Sequence, residues 1–412
     1  MKKHLLQKVG NIFSIYIGFP RMIYIFFIIR LINAMGFFVF PFLTLFLTIN
    51  LSLSTEKVVL YLMCIQNSQI VGALTGGRFA DIFGRKIVLI GFQFAIAIFL
   101  FPCAFLGDSL LIPKILIFAG FFQGAIRPIY DAMAIDLSTP KNRKEMISFI
   151  YLGVNLGLGI GVLIAGFLFN HYIKLLFLGN VAVILIVCFF ANLFILETLP
   201  YEIRLKKNRS VKKSMLSLLM KKPIVLFFLL VSILFYLVHS QIFFSLPIQI
   251  NDIFGQAGPR YFGIVMSFNC FAVALMTVFI TIISRKNRPI LNVTFSGILF
   301  AIGFGMLYWV SQLNWLLVST FIWTMGEILI QTNARVYIAN HSPVTHRGRF
   351  NSLVTNSQSV SRIIGPPVFG YIIIYLGIQQ VWVFTYFISI IATVIMYFIY
   401  IFERDNKNYA EV

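Results

Sequence analysis

Apolar residues run along this chain in blocks of about twenty, cut by short polar breaks. Twenty residues is roughly what a helix needs to cross the ~30 Å hydrocarbon core of a bilayer. The pattern predicts twelve spanning helices, numbered here spans 1 to 12, at 22–49, 58–79, 87–107, 115–135, 147–169, 175–196, 223–244, 261–284, 289–310, 316–339, 350–376 and 381–402. In hydrocarbon each backbone N–H and C=O must be satisfied within its own segment. No stretch alternates as a barrel strand would, so helices are the reading throughout.

Composition narrows the class further. Of 412 residues 59% are hydrophobic, 46 are Phe, and only 11% are charged, less than half of the roughly 25% usual in soluble domains. That excludes an ordinary soluble globule, a disordered chain and a disulfide-stapled secreted module. Cys64, Cys103, Cys188 and Cys270 are isolated in apolar runs. With no CxxC or Cys/His spacing, neither a disulfide nor a metal site is expected, and no cofactor motif appears. The N-terminus is basic and then apolar but has no small-residue cleavage site, so no removable signal peptide is expected.

The net charge of +20, from 33 Lys+Arg against 13 Asp+Glu, would point to nucleic acid in a soluble protein. Here its placement decides. Twelve spans put both termini on one side, where 25 of the bases fall; Lys57, Lys114, Lys174 and Arg260 are the 4 on the other. Bases collect on the cytoplasmic side of membrane proteins. Both termini are therefore expected in the cytoplasm, in a plasma (inner) membrane, and no nucleic-acid partner is expected.

The longest break divides the chain into an N-terminal set of six spans at 1–196, a basic linker at 197–222, and a C-terminal set of six with a short tail at 223–412. The linker reads as a solvated connector with an amphipathic stretch, or as a site for anionic membrane lipid. The two sets look related. Asp136-Leu137-Ser138-Thr139-Pro140, then Arg143 and Ser148, opens span 5; Asn340-His341-Ser342-Pro343, then Arg347 and Ser352, opens span 11. Gly161 and Gly365 follow those serines at equal spacing, as do Gly166 and Gly370, and Pro41 and Pro247 sit near the outer ends of spans 1 and 7. A six-plus-six repeat is the build of a carrier whose halves move about a central site. No loop is long enough for a catalytic domain, and HExxH, GxSxG and phosphate-loop motifs are lacking, so an enzyme is not expected.

Between spans 2 and 3 the chain reads Gly77-Arg78-Phe79-Ala80-Asp81-Ile82-Phe83-Gly84-Arg85-Lys86. This resembles the signature loop of the major facilitator superfamily, Gly-x-Leu-Ala-Asp-Arg-x-Gly-Arg-Lys, with Phe79 for Leu and Ile82 for the first Arg. Gly77 permits close helix packing, Gly84 a tight turn, and Asp81 can face the positive end of a neighbouring helix. The resemblance implies that this neighbour is span 11, that the contact holds an outward-open state, and that Arg85 bridges to an acid ending span 4, where Asp136 stands. The alternative is that Arg85 and Lys86 only anchor the topology. The fold expected is an all-α membrane protein, twelve transmembrane helices in two pseudo-symmetric six-helix bundles.

Arg30, Arg127, Asp131, Glu327, Arg335 and Arg362 fall well inside spans. Each costs about 2.5–3.5 kcal/mol at a helix centre on insertion scales, so each should face a cavity or a partner. Glu327, in span 10, lies one turn before Gln331 on the same face. It can hold a proton or attract a cation. Its Gly326-Glu327 step is similar to that of multidrug:proton antiporters of the superfamily, in which the matching Glu is tied to protonation and substrate. The other reading is a structural pair with Arg335 or Arg362. Arg127 and Asp131 are four apart and can pair, either as packing or in proton transfer, as the Gln-Gly step of related carriers implies at Gln123-Gly124. Arg30 could neutralise a cavity acid or meet an anionic substrate. The glycines of span 5, from Gly153 to Gly161 and on to Gly166, resemble a drug-antiporter motif whose Gly-Pro step has become Gly161-Val162; ordinary close packing of small residues explains them equally. Gln66, Gln69, Asn155, His239, Gln241, Asn269, Asn356 and Gln358 are further candidate cavity residues.

The function expected is secondary active transport by alternating access: proton-coupled efflux of amphipathic, drug-like small molecules, by a monomer. A broad apolar cavity with one acid would favour that. Several ordered polar contacts would favour a carrier of one specific metabolite. A sensor or scaffold on a retired transporter fold is the reading of another class.

Overall fold

The computed structural model describes residues 16–139, 142–199, 222–342 and 347–405. The basic linker expected at 197–222 lies outside the described residues from 200 to 221, as does the Pro140 and Pro343 pair of the repeat. Every regular element among the described residues is helical: α1 Arg21–Met35, α2 Thr55–Phe83, α3 Arg85–Cys103, α4 Leu111–Leu137, α5 Arg143–Leu168, α6 Ile173–Phe194, α7 Pro223–His239, α8 Ser245–Phe254, α9 Gly258–Ser284, α10 Pro289–Met306, α11 Leu313–Asn340, α12 Arg347–Leu376 and α13 Ile378–Asp405, with short helical turns besides. Among the described residues, ten helical stretches are long and apolar enough to cross a membrane; one, Pro223–Ser284, contains spans 7 and 8.

Two spans depart from the expected unbroken helices. Span 1 stops at Gly36 and resumes as Leu43–Leu45 and a π turn, Phe46–Asn50. Fifteen residues at 1.5 Å each reach only about 22 Å, so α1 alone does not cross. Pro41, which lacks an N–H and disfavours helix in the residue before it, lies in the break. Span 7 breaks after His239 into a 3₁₀ turn, Ser240–Ile242, before α8. Pro247 lies in that second piece. The paired prolines thus mark paired interruptions.

The chain forms two compact units. One comprises Met1–Phe40, Ser68–Ile164 and His171–Arg209; the other comprises Pro41–Asn67, Ala165–Asn170 and Ser210–Val412. In the first, α3 packs on α4 and α6; in the second, α10 packs on α11 and α13. The second core is aromatic. Phe304 stacks on Trp323 at 5.6 Å and on Trp382 at 6.3 Å, and both tryptophans are fully buried. The outward faces are apolar too, with Leu74, Ile283 and Phe398 each more than 60% exposed. Apolar side chains displayed this widely need lipid for solvent, and the protein is a multi-pass membrane protein.

Close approach in the first unit depends on glycine, though not on the one expected. A Cβ on Gly77 would meet nothing within 4 Å, whereas one on Gly72 or Gly76 would strike the backbone of Phe121 or Ala125 in α4. Gly77 lies one residue further round the helix, off the packed face. Gly157 and Gly161 let α5 lie against the carbonyls of Leu31 and Met35 in α1.

Candidate functional site

The break between α7 and α8 frees backbone groups that hydrocarbon would leave unsatisfied, and side chains take them up. Ser240 Oγ donates to Leu237 O at 2.7 Å, Gln241 Nε2 to Leu237 O and to Ser240 Oγ at 3.1 Å each, and Ser245 Oγ to Gln241 Oε1 at 2.8 Å. Pro247 cannot donate to the carbonyl four residues back. That carbonyl, Phe243 O, instead accepts from Thr44 Oγ1 at 2.6 Å. The interruption turns the end of α7 into one wall of a polar site, and Gln241, expected in the cavity, is fully buried within that wall.

Glu327 enters this site from α11. Its Oε2 accepts from Asn269 Nδ2 of α9 at 2.9 Å, and the same amide donates to Thr324 Oγ1 at 3.0 Å. Its Oε1 lies 3.5 Å from His239 Nε2 of α7, both side chains being 15% exposed. One turn on, Gln331 Oε1 accepts from Gln358 Nε2 of α12 at 2.9 Å. Arg362, one turn beyond Gln358, acts electrostatically on Glu327. Tyr236, His239, Ser240, Phe243, Gln331, Gln358 and Arg362 line a cavity of about 20 Å³, room for roughly one water. Glu327 is thus held by a histidine and an amide within the field of Arg362, one of the two arginines considered from sequence. Its carboxylate is solvated by a neutral donor on one oxygen and a titratable group near the other.

Of the expected cavity residues, His239, Asn269, Gln331 and Gln358 gather here with Glu327. Gln66, Gln69, Asn155 and Asn356 are not among the residues lining this cavity. Asn155 donates to the carbonyl of Tyr151 in its own helix at 2.9 Å, and Asn356 is exposed. The sequence reading missed Thr324 and Tyr236. A threonine in an apolar run, or a tyrosine among phenylalanines, carries no signal of its own.

The first unit holds a second polar group. The guanidinium of Arg30 lies 4.2 Å over the ring of Tyr130, a cation–π contact. Gln93 Nε2 donates to Tyr130 Oη at 3.0 Å and to Asn33 Oδ1 at 2.6 Å. Arg127 and Asp131 form no ion pair with each other, contrary to the helix-spacing expectation. Both lie on an exposed face of α4, and the charge of Asp131 acts on Arg30 instead.

The loop between α2 and α3 makes these contacts in the first unit. Gly84 turns the chain at φ +103°, a conformation that side chains resist. Arg85 pairs with Asp136 and donates through NH1 to Ala132 O at 2.8 Å. Asp81 acts electrostatically on Arg85. Lys86 Nζ donates to Asn192 O at 2.7 Å. Glu197, unforeseen from sequence, accepts from the backbone N–H of Arg85 at 2.9 Å and of Lys86 at 3.2 Å. It caps the N-terminus of α3 from the far side of α6, where negative charge is favoured.

A family model described as Major Facilitator Superfamily matches residues 26–366 and 293–411. The chain is 24% identical over 381 residues to a "Na(+), Li(+), K(+)/H(+) antiporter" of Planococcus maritimus, covering 84% of this chain and 89% of that one. It is 29% identical over 165 residues to multidrug resistance protein 1 of Bacillus subtilis, covering 40% and 41%. In fold it resembles a POT family transporter solved in complex with 5-aminolevulinic acid, at TM-score 0.76 and 14% identity, covering 95% of this chain and 97% of that one.

Proposed function

Because the chain belongs to the major facilitator superfamily, we propose that it carries a small polar organic substrate across the plasma (inner) membrane by proton-coupled alternating access. Glu327 is the proton-binding carboxyl in this reading, and His239 is its partner. It works as a monomer with both termini in the cytoplasm. The observation that carries the reading is the Glu327–His239 pair, 3.5 Å apart, beside a cavity lined by amides, a hydroxyl and a guanidinium. A buried carboxyl beside an imidazole can exchange a proton when a ligand arrives, which is what coupling requires. Arg30, over Tyr130, is the second candidate, and the Arg85–Asp136 pair belongs to the conformational gate.

Two features favour one specific substrate over a range of drugs. The site has ordered amide contacts, and its lining is mostly polar, with two amides, a histidine and a guanidinium. Efflux of amphipathic, drug-like compounds is the second reading, favoured by the likeness to multidrug resistance protein 1 over 40% of the chain. A sensor or scaffold without transport has less support, because the signature loop keeps its Arg85–Asp136 pair and the intramembrane acid is retained.

The test is flux in proteoliposomes under an imposed pH gradient. Glu327→Gln keeps the shape and loses the titratable carboxyl. It is expected to cut gradient-driven accumulation by about tenfold or more while leaving gradient-free exchange within about threefold. Unchanged gradient-driven flux in this variant would overturn the assignment.

A further inference from the structure

A group of titratable side chains lies apart from the Glu327 site, where α11 and α13 end. Glu403 comes from the last turn of α13 and is 4% exposed; His341, the residue after α11, is 8% exposed. His341 Nε2 lies 3.4 Å from Glu403 Oε1. The other ring nitrogen, Nδ1, lies 2.9 Å from the carbonyl oxygen of Tyr337. The Tyr337 hydroxyl donates to Glu403 Oε1, and Tyr337 and Glu403 make further interactions besides. Lys222, just ahead of α7, donates through Nζ to His341 O at 2.6 Å. Three helices of the second unit thus meet at one histidine.

Both ring nitrogens of His341 face oxygen. A carbonyl and a carboxylate can only accept. A neutral imidazole has one N–H, so either tautomer sets a bare nitrogen against an oxygen lone pair. Imidazolium has two N–H groups and satisfies both oxygens. A proton on Glu403 serves equally, donated to Nε2 while Nδ1–H donates to Tyr337 O. In both cases the arrangement is complete only with one added proton, which belongs to the pair and not to either residue. The Tyr337 ring, 4.3 Å from the imidazole and backed by Phe228 at 4.0 Å, adds an aromatic surface that attracts a cation. Lys222 opposes a second cation here, whereas Glu403 faces the ring directly. Among the described side chains on the elements packed around the pair, Arg335 of α11 and Arg285, Lys286 and Arg288 ahead of α10 are exposed. Arg404 and Asp405 of α13 are also exposed and pair with each other at 2.9 Å.

We propose that His341 and Glu403 form a second proton-binding site, a pH-sensitive clasp between the ends of α11 and α13 and separate from Glu327. It lies at the end of the bundle that the charge distribution assigns to the cytoplasm, so cytosolic pH sets its state. The folded protein holds a proton that the unfolded chain gives up as pH rises. The contribution of the clasp to stability is therefore largest in acid and falls towards alkaline pH.

The experiment is thermal unfolding of the purified full-length protein in detergent at about pH 5.5 and about pH 8, either side of ordinary histidine titration. His341→Gln presents a donor to Glu403 that needs no added proton, and Glu403→Gln removes the carboxylate. Between the two pH values the wild-type unfolding temperature is expected to fall by a few degrees more than that of either variant. The double variant should lose no more of the pH response than one substitution does. Should one variant fail to fold, the other still decides. A wild-type pH response in both variants would overturn the proposal, and so would additive losses in the double variant. The measurement needs no substrate and no gradient, so proton-independent flux would defeat the Glu327 assignment and leave this site standing. Repeated in Glu327→Gln, the part of the pH response that His341 supplies is expected to persist. Its disappearance there would mean one site in place of two and would overturn the proposal.

Discussion

Glu327 carries the functional argument because its two oxygens meet partners of different kinds. Asn269 donates at 2.9 Å, whereas His239, 3.5 Å away, presents an imidazole, a ring that can take up or release a proton. Replacing each separates holding the acid from communicating with it. His239→Gln keeps a polar group and loses the titratable ring; pH-gradient-driven flux is expected to fall about tenfold or more with gradient-free exchange retained. Asn269→Leu strands one carboxylate oxygen and is expected to lower stability by about 1–3 kcal/mol, read as a lower unfolding temperature. The acid itself was legible in the sequence, since a carboxylate in an apolar run demands an explanation. Its partners were not, because Asn269 and His239 come from other spans and only the fold brings them together. Local spacing misled at Arg127 and Asp131. Four residues apart on one helix allow a pair, but Asp131 acts on Arg30 of another helix instead.

The broken helices follow from backbone chemistry more than from side-chain pattern. Span 7 reads as one apolar run, yet Pro247 removes the donor that Phe243 O needs, and Thr44 provides it at 2.6 Å. Thr44 is 1% exposed, so no water can replace it. Thr44→Val is expected to cost about 1–2 kcal/mol in unfolding free energy. The cost should shrink to a few tenths in a Pro247→Ala background, where the backbone donates for itself; a double-mutant cycle measures that difference. The proline pair was visible in the sequence, but the breaks were not, because hydropathy does not register a missing hydrogen bond. The same blindness hid Glu197. An acid just past a span looks like a solvated end, and its service to the N-terminus of α3 depends on a turn that Gly84 makes at φ +103°. Glycines were read correctly as sites of close approach, but the register favoured Gly72 and Gly76 over Gly77.

Across the entire chain, the hydropathy and the signature loop made the superfamily legible, because bilayer thickness and backbone satisfaction leave few alternatives. The substrate was not legible, since it depends on which polar groups from α7, α11 and α12 converge. The distribution of 25 bases against 4 makes a topological prediction. In a cysteine-free background, Asp108→Cys should react with an impermeant maleimide on intact cells, and Ser210→Cys only after lysis. The most direct test of proton coupling is reciprocal. Proteoliposomes holding a pH-sensitive dye are given a substrate gradient and no pH gradient. Linkage requires that substrate movement drive proton movement in the wild-type protein and that Glu327→Gln abolish the proton signal while substrate still exchanges. Substrate flux with no accompanying pH change in the wild-type protein would contradict the account.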